Sequence, residues 1–165
     1  MMKELPSDPV IALSYRLHKL VYVMDKVADS LLQKQLDIGF SQFMILMALS
    51  RETEITQKNL TQFLNMTPGA ISRQVDQMHR KGLITREVNA ENRREHMVAL
   101  TEEGSSTLEE AYDILKRFMG DVYRPIDGDR AQALSHTLDT LITRLFETRE
   151  VRNVCNIDET ISNHS

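Results

Sequence analysis

The fifteen residues from Thr67 to Lys81, TPGAISRQVDQMHRK, combine side chains able to read a nucleic acid with a spacing that gathers them together. Ile71, Val75 and Met78 stand at i, i+4 and i+7, so a helix here has one apolar stripe. Gly69, Ser72, Arg73, Asp76, Gln77 and Arg80 are left on its other faces. An arginine can bond guanine O6 and N7 together, and a glutamine can do the same to N6 and N7 of adenine. Gly69 and Ala70 keep the helix start slim, so its backbone N–H groups can approach a phosphate. A second basic group, Arg93 and Arg94, falls in a polar stretch further on. A narrow minor groove concentrates negative potential and attracts inserted arginines. Each group also suits an ordinary solvated surface. Arg73 and Asp76 can be an i,i+3 pair, and Glu91 and Glu95 can partner the two arginines.

The local signals around these residues predict what holds them in place. Thr56 can cap a helix carrying Leu60, Phe63 and Leu64 as its inward stripe, with Asn65-Met66 as a turn. Thr67 then caps the next helix, with Pro68 at its first position and Gly82 placed to end it. Leu83 to Val88 and His96 to Thr101 look like paired strands around the loop of residues 89–94. Helix, turn, helix and hairpin follow one another in the order that sets one helix in a major groove and a hairpin at the neighbouring minor groove.

Net charge is −4, which at first argues against a nucleic-acid partner. Its distribution reverses that argument. Thr56–Arg94 holds seven Lys/Arg and three Asp/Glu, making the segment +4 and the rest of the chain −8. A basic reading segment on an acidic body can meet phosphates with one face only. At 165 residues a useful core is within reach without disulfides or metals. The single cysteine, Cys155, excludes an internal disulfide framework and favours a reducing compartment. The start of the chain lacks a secretory pattern and no stretch is apolar enough to span a bilayer, so the cytoplasm is expected and a membrane is not.

Long helices flank the reading segment. Ser7-Asp8-Pro9 opens the first, where Leu13, Leu17, Leu20, Met24, Val27 and Leu31 recur at helical spacing to about Leu36. Asp37-Ile38-Gly39 breaks it, and Ser41 is a candidate cap for a second helix carrying Ile45, Leu46 and Leu49. Thr101 can cap a fifth helix to about Met119, with Gly120, Pro125 and Gly128 marking its end. Asp127 can cap a sixth, striped by Ala131, Leu134, Leu138, Leu141, Ile142 and Leu145. A small middle domain cannot cover both terminal stripes. A two-fold homodimer is the expected solution, and folding back over the middle domain is the alternative.

TPGAISRQVDQMHRKGLITR followed by NAENRREHMVALTEEG resembles the winged helix-turn-helix of the MarR family of bacterial transcriptional regulators. Leu100, Thr101 and Gly104 match the family's closing Leu-Thr-x-x-Gly, and the resemblance extends over roughly residues 8 to 150. It implies a mainly α (α+β) fold: a winged helix-turn-helix with a two-stranded β-wing and long N- and C-terminal dimerisation helices. Residues 1–36 would be the N-terminal dimerisation helix and 37–101 the DNA-binding domain, with the helix-turn-helix at about 56–81 and the wing at about 83–101. Residues 102–150 would complete the dimerisation arm, and 151–165 would be a loose tail. Double-stranded DNA is then met by Thr67, Gly69, Ser72, Arg73 and Gln77, with Arg93 and Arg94 on the wing. The wing departs from the family pattern, having Asn89 and Asn92 where aspartates are usual and Ala90 for the usual proline.

The resemblance also implies a small-molecule effector. Tyr15, His18, Tyr22, Phe43, Met44 and Met47 are candidate linings for a small aromatic or phenolic acid, although such residues equally build a core. Oxidant sensors of the family carry a reactive cysteine in the first helix; here that helix has none, and Cys155 reads as a bystander. The five histidines lack metal-ligand spacing, so neither a metal nor another cofactor is expected. No phosphate loop or nucleophile elbow is present to suggest an enzyme. The expected function is a dimeric, sequence-specific regulator, a repressor of a pseudo-palindromic operator relieved by an effector. The alternative is a winged-helix protein-interaction module that does not read DNA.

Overall fold

The computed structural model describes residues 7–52, 54–64, 66–89, 92–93 and 95–148. Six helices and three short strands follow one another as α1 (Pro9–Leu36), α2 (Phe40–Leu49), β1 (Ile55–Thr56), α3 (Gln57–Phe63), α4 (Pro68–Arg80), β2 (Ile84–Val88), β3 (His96–Leu100), α5 (Glu102–Tyr123) and α6 (Gly128–Glu147). Local chemistry starts most of these helices. The Asp8 carboxylate accepts from the backbone N–H groups of Val10 and Ile11, and Thr56, Thr67, Thr101 and Asp127 cap α3, α4, α5 and α6 in the same way. Asp37 ends α1 in the left-handed region, with φ 53°.

The core forms where α2 passes between the C-terminal half of α1, α4, α5 and the sheet. Leu32, Ile38, Ile45, Leu46, Leu60, Ile71, Val75, Met78, Ile84 and Val98 are its buried centre. Ile71, Val75 and Met78 therefore face inward as their spacing requires. β2 and β3 pair antiparallel, with Arg86 opposite Val98 and Val88 opposite His96. The sheet has the order β1-β3-β2, so the expected two-stranded wing gains a third strand. Ile55 and Thr56 pair with Val98 and Met97, a two-residue ladder too short to announce itself by alternation.

Other expectations are corrected by packing. Gly39, not Ser41, precedes α2; the Gly39 N–H donates to Gln42 Oε1 at 3.2 Å, closing the first turn from within. Phe63 does not join the inward stripe of α3 but is 54% exposed, with the Arg51 guanidinium 5.9 Å from its ring centroid. α5 runs through Gly120 to Tyr123, because a glycine weakens a helix without ending it.

The terminal helices show the largest difference from a closed fold. Val10, Ile11, Leu13, Leu20 and Val21 on α1 and Leu141, Ile142, Leu145 and Phe146 on α6 are all exposed, and α6 has no buried residue. Among the described residues, no helix is long and apolar enough to cross a membrane.

Candidate nucleic-acid interface

Two observations set the orientation of α4. Its apolar stripe is fully buried, so the opposite ridge of Gly69, Arg73, Asp76 and Arg80 stands outward at helical spacing. Thr67 caps the helix by accepting from Ala70 N–H at 3.2 Å, which assigns this hydroxyl a structural task first. Gly69 carries no comparable task. A Cβ built there meets nothing within 4 Å, so its slimness is not demanded by the chain's own packing.

Asp76 decides how the ridge is charged. Its carboxylate takes Arg86 Nη1 of β2 at 2.5 Å, not Arg73, so the i,i+3 pair suggested by spacing is not formed. Arg86 is three-quarters buried, and its other amino group lies 3.5 Å from His96 Nδ1 on β3. This link holds the reading helix against the root of the wing. Among the described residues, neither Arg73 nor Arg80 has an ion-pair partner. The expected contact set omitted Arg80, although its four-residue interval from Asp76 and seven-residue interval from Arg73 place it on the same ridge. Ser72 lies half-buried on the flank, and Gln77 on the flank facing α2.

A second link secures the far end of α4. Lys81 Nζ donates to Asp37 Oδ2 at 2.9 Å and to the Asp37 carbonyl, joining the end of α4 to the end of α1. The Lys81 ammonium, by hydrogen bond and by charge, holds the Asp37 carboxyl below its ordinary value of 3.8. A depressed carboxylate contributes stability that is complete above 3.8 and lost as pH falls through the lowered value. Lys81→Met should therefore destabilise the chain more at about pH 6 than at about pH 2.5, as urea unfolding at the two pH values would read. An equal effect at both would assign Lys81 a packing role alone.

The wing tip closes through backbone bonds from Asn89 N–H to Glu95 O (3.0 Å) and from Glu95 N–H to Asn92 O (2.9 Å). Arg93 is exposed there. Arg94, Ala90 and Glu91 lie outside the described residues, as do Cys155 and the expected tail at 151–165.

The expected effector residues are not gathered into one cavity within the chain. Phe43 is buried, stacked on Phe40 at 5.8 Å and meeting the edge of Tyr112 at 5.7 Å; the Tyr112 hydroxyl reaches Met47 Sδ at 2.6 Å. Phe43 and Met47 thus belong to the packing of α2 on α5, with Met44 half-buried beside them. Tyr15, His18 and Tyr22 lie exposed on the first half of α1. The length of α1 explains the separation, since 28 residues extend about 42 Å. A cleft beneath the sheet, bounded by Glu54, Thr85 and Met97, and another bounded by Leu49, Leu100 and Leu108 include none of these residues. No cluster of three potential metal-binding side chains occurs among the described residues.

A helix with an outward polar ridge, a shorter helix before it and a β-hairpin tied to its flank define a winged helix-turn-helix protein. Comparison with known proteins names the kind. The MarR family profile matches residues 36–95. The organic hydroperoxide resistance transcriptional regulator of Bacillus subtilis is 30% identical over 124 residues, covering 75% of this chain and 82% of that protein. Among solved structures, the transcriptional regulator BldR from Sulfolobus solfataricus superposes with a TM-score of 0.74 at 24% identity, over 86% of this chain and 99% of that one. A mutant MarR from E. coli, complexed with operator DNA, gives 0.71 at 24% identity over 82% and 99%. The chain belongs to the MarR family. It is a transcriptional regulator with a DNA-binding winged helix, and not an enzyme.

Proposed function

We propose that two copies of this chain form a cytoplasmic repressor that reads a pseudo-palindromic operator and releases it on binding a small molecule. The outward ridge of α4 carries this reading. Gly69 leaves room that the fold does not need, Arg73 and Arg80 face outward, and the acid between them is already held by Arg86. Such a ridge suits a major groove, with Arg73 on a base and Arg80 towards a phosphate. The solved MarR bound to operator DNA supports the same use of the fold.

The apolar faces left open on α1 and α6 support a homodimer, because exposed stripes of this length meet a partner. Residues 1–36 and 102–150 then form the arm, and 37–101 the reading domain. Two-fold symmetry would set the α4 helices at half-sites about one DNA turn apart. The effector reading depends on the same step, since Tyr15, His18 and Tyr22 can line a site only when a second copy covers that face. A peroxide response through a first-helix thiol is not available, as α1 contains no cysteine.

Selection of bound duplexes from fragmented genomic DNA, with sedimentation to read the mass, tests the proposal. An enriched inverted repeat overlapping a promoter and a dimeric mass are expected. A monomer, or no enriched repeat at physiological salt, would overturn it. On the wing, Arg94→Ala should weaken binding across sequences and lower the slope of log affinity against log salt by about one. An unchanged slope would remove Arg94 from the phosphate-facing set.

A further inference from the structure

The orientation of one amide on α4 is settled by a chain of donors that begins at a backbone group. Gly39 N–H can only donate, and it donates to Gln42 Oε1 at 3.2 Å. That bond turns the Gln42 amide nitrogen the other way, towards α4, where it donates to Gln77 Oε1 at 3.2 Å. Gln42 is 5% exposed and set in the first turn of α2, so water does not compete freely for its amide. Gln77 itself lies at the solvent face. Its oxygen is held against α2, and its amide N–H groups are the part left to meet an external partner.

We infer that Gln77 is a base-specificity residue presented as an amide donor, and that Gln42 is the positioning residue that sets it so. The inference rests on the reading of α4 as the helix that enters the major groove. Recognition of adenine by glutamine needs oxygen and nitrogen side by side, the oxygen accepting from N6 and the nitrogen donating to N7. With the oxygen held by Gln42, that pairing is lost. Guanine offers two adjacent acceptors, O6 and N7, whereas adenine and thymine offer one each, N7 and O4, so an outward N–H pair selects guanine. Cytosine presents its N4 donor and is disfavoured. The adenine preference expected for a glutamine on this helix is thereby replaced by a preference for an acceptor edge.

The test is selection from a randomised duplex library by the full-length wild type, Gln77→Ala and Gln42→Met. Gln77→Ala identifies the base position that depends on Gln77, as the one whose preference disappears. In the wild type that position should favour guanine over adenine by roughly threefold to tenfold, the range of a single hydrogen bond. Gln42→Met removes the inward donor at similar volume, so adenine should rise there to match guanine while other positions keep their preferences. Adenine favoured by the wild type at that position, or no position lost in Gln77→Ala, would overturn the inference while leaving the DNA-reading function intact. A Gln42→Met protein that binds more weakly with the same preference would show Gln42 to be structural only, and would equally overturn it. If Gln42→Met does not fold, the wild type and Gln77→Ala still decide the identity of the base. Failure of the wild type to enrich any sequence would instead overturn the DNA-reading function, and this inference with it.

Discussion

Gly104→Ala is expected to destabilise the folded chain by about 3 kcal/mol, near the upper end for overpacking by one methyl group. A Cβ on Gly104 would lie 1.9 Å from the carbonyl oxygen of Leu83 and 3.0 Å from its carbonyl carbon. Both are backbone atoms, so no rotamer change relieves the clash. The surrounding corner is also bonded on every side. Thr101 Oγ1 donates to Gly82 O at 2.6 Å and accepts from Gly104 N–H at 3.0 Å, while Thr101 N–H donates to Leu83 O at 3.2 Å. Admitting a methyl group means parting α5 from the turn that joins α4 to β2, and Gly82 in that turn already holds φ at 74°. Gly120→Ala, on the same helix with nothing within 4 Å, is the control and should stabilise by about 0.5–1 kcal/mol. Urea unfolding of the two variants beside the wild type reads both signs. A near-neutral Gly104→Ala would mean that α5 meets the turn less closely than described.

Arg73→Ala is expected to weaken binding to a selected operator by about 1–3 kcal/mol, and to relax the preference at one base position per half-site. The reason is the division of labour on α4. Asp76 is the acid nearest Arg73 along the ridge, and its carboxylate is engaged by Arg86, so Arg73 has no internal ion pair to leave when it meets DNA. Fold stability should change by less than about 0.5 kcal/mol, as for other exposed positions without partners. Gel-shift titration on the operator and on a duplex altered at that base separates the two effects. An equal loss on both duplexes would make Arg73 a phosphate contact instead of a base reader.

The helix starts other than that of α2 are legible in the sequence because they are local. Asp8, Thr56, Thr67, Thr101 and Asp127 each act on backbone N–H groups within three residues, so a short window contains the whole interaction. The inward stripe of α4 is legible for a similar reason, since the four- and three-residue steps from Ile71 through Val75 to Met78 fall on one helix face. Spacing alone misplaces Phe63 because α3 has seven residues, too few to separate a buried stripe from its flank. Arg51, twelve positions earlier, supplies the contact that keeps that ring at the surface.

Periodicity and caps thus determine the order of helix, turn, helix and hairpin, and the resemblance to the MarR family makes that order a winged helix-turn-helix. Tertiary structure decided which polar groups on α4 are engaged within the chain and which stand outward. Spacing offered Asp76 to Arg73, but the partner is Arg86, ten residues on and across the sheet. Composition offered Gln77 as an adenine reader, but Gln42, thirty-five residues earlier, holds its oxygen. The effector residues are likewise not gathered within one chain, because helical spacing relates neighbours on one helix and does not relate Tyr15 to Phe43. A hydrogen bond or ion pair depends on distances of about 3 Å between atoms that only the closed core brings together.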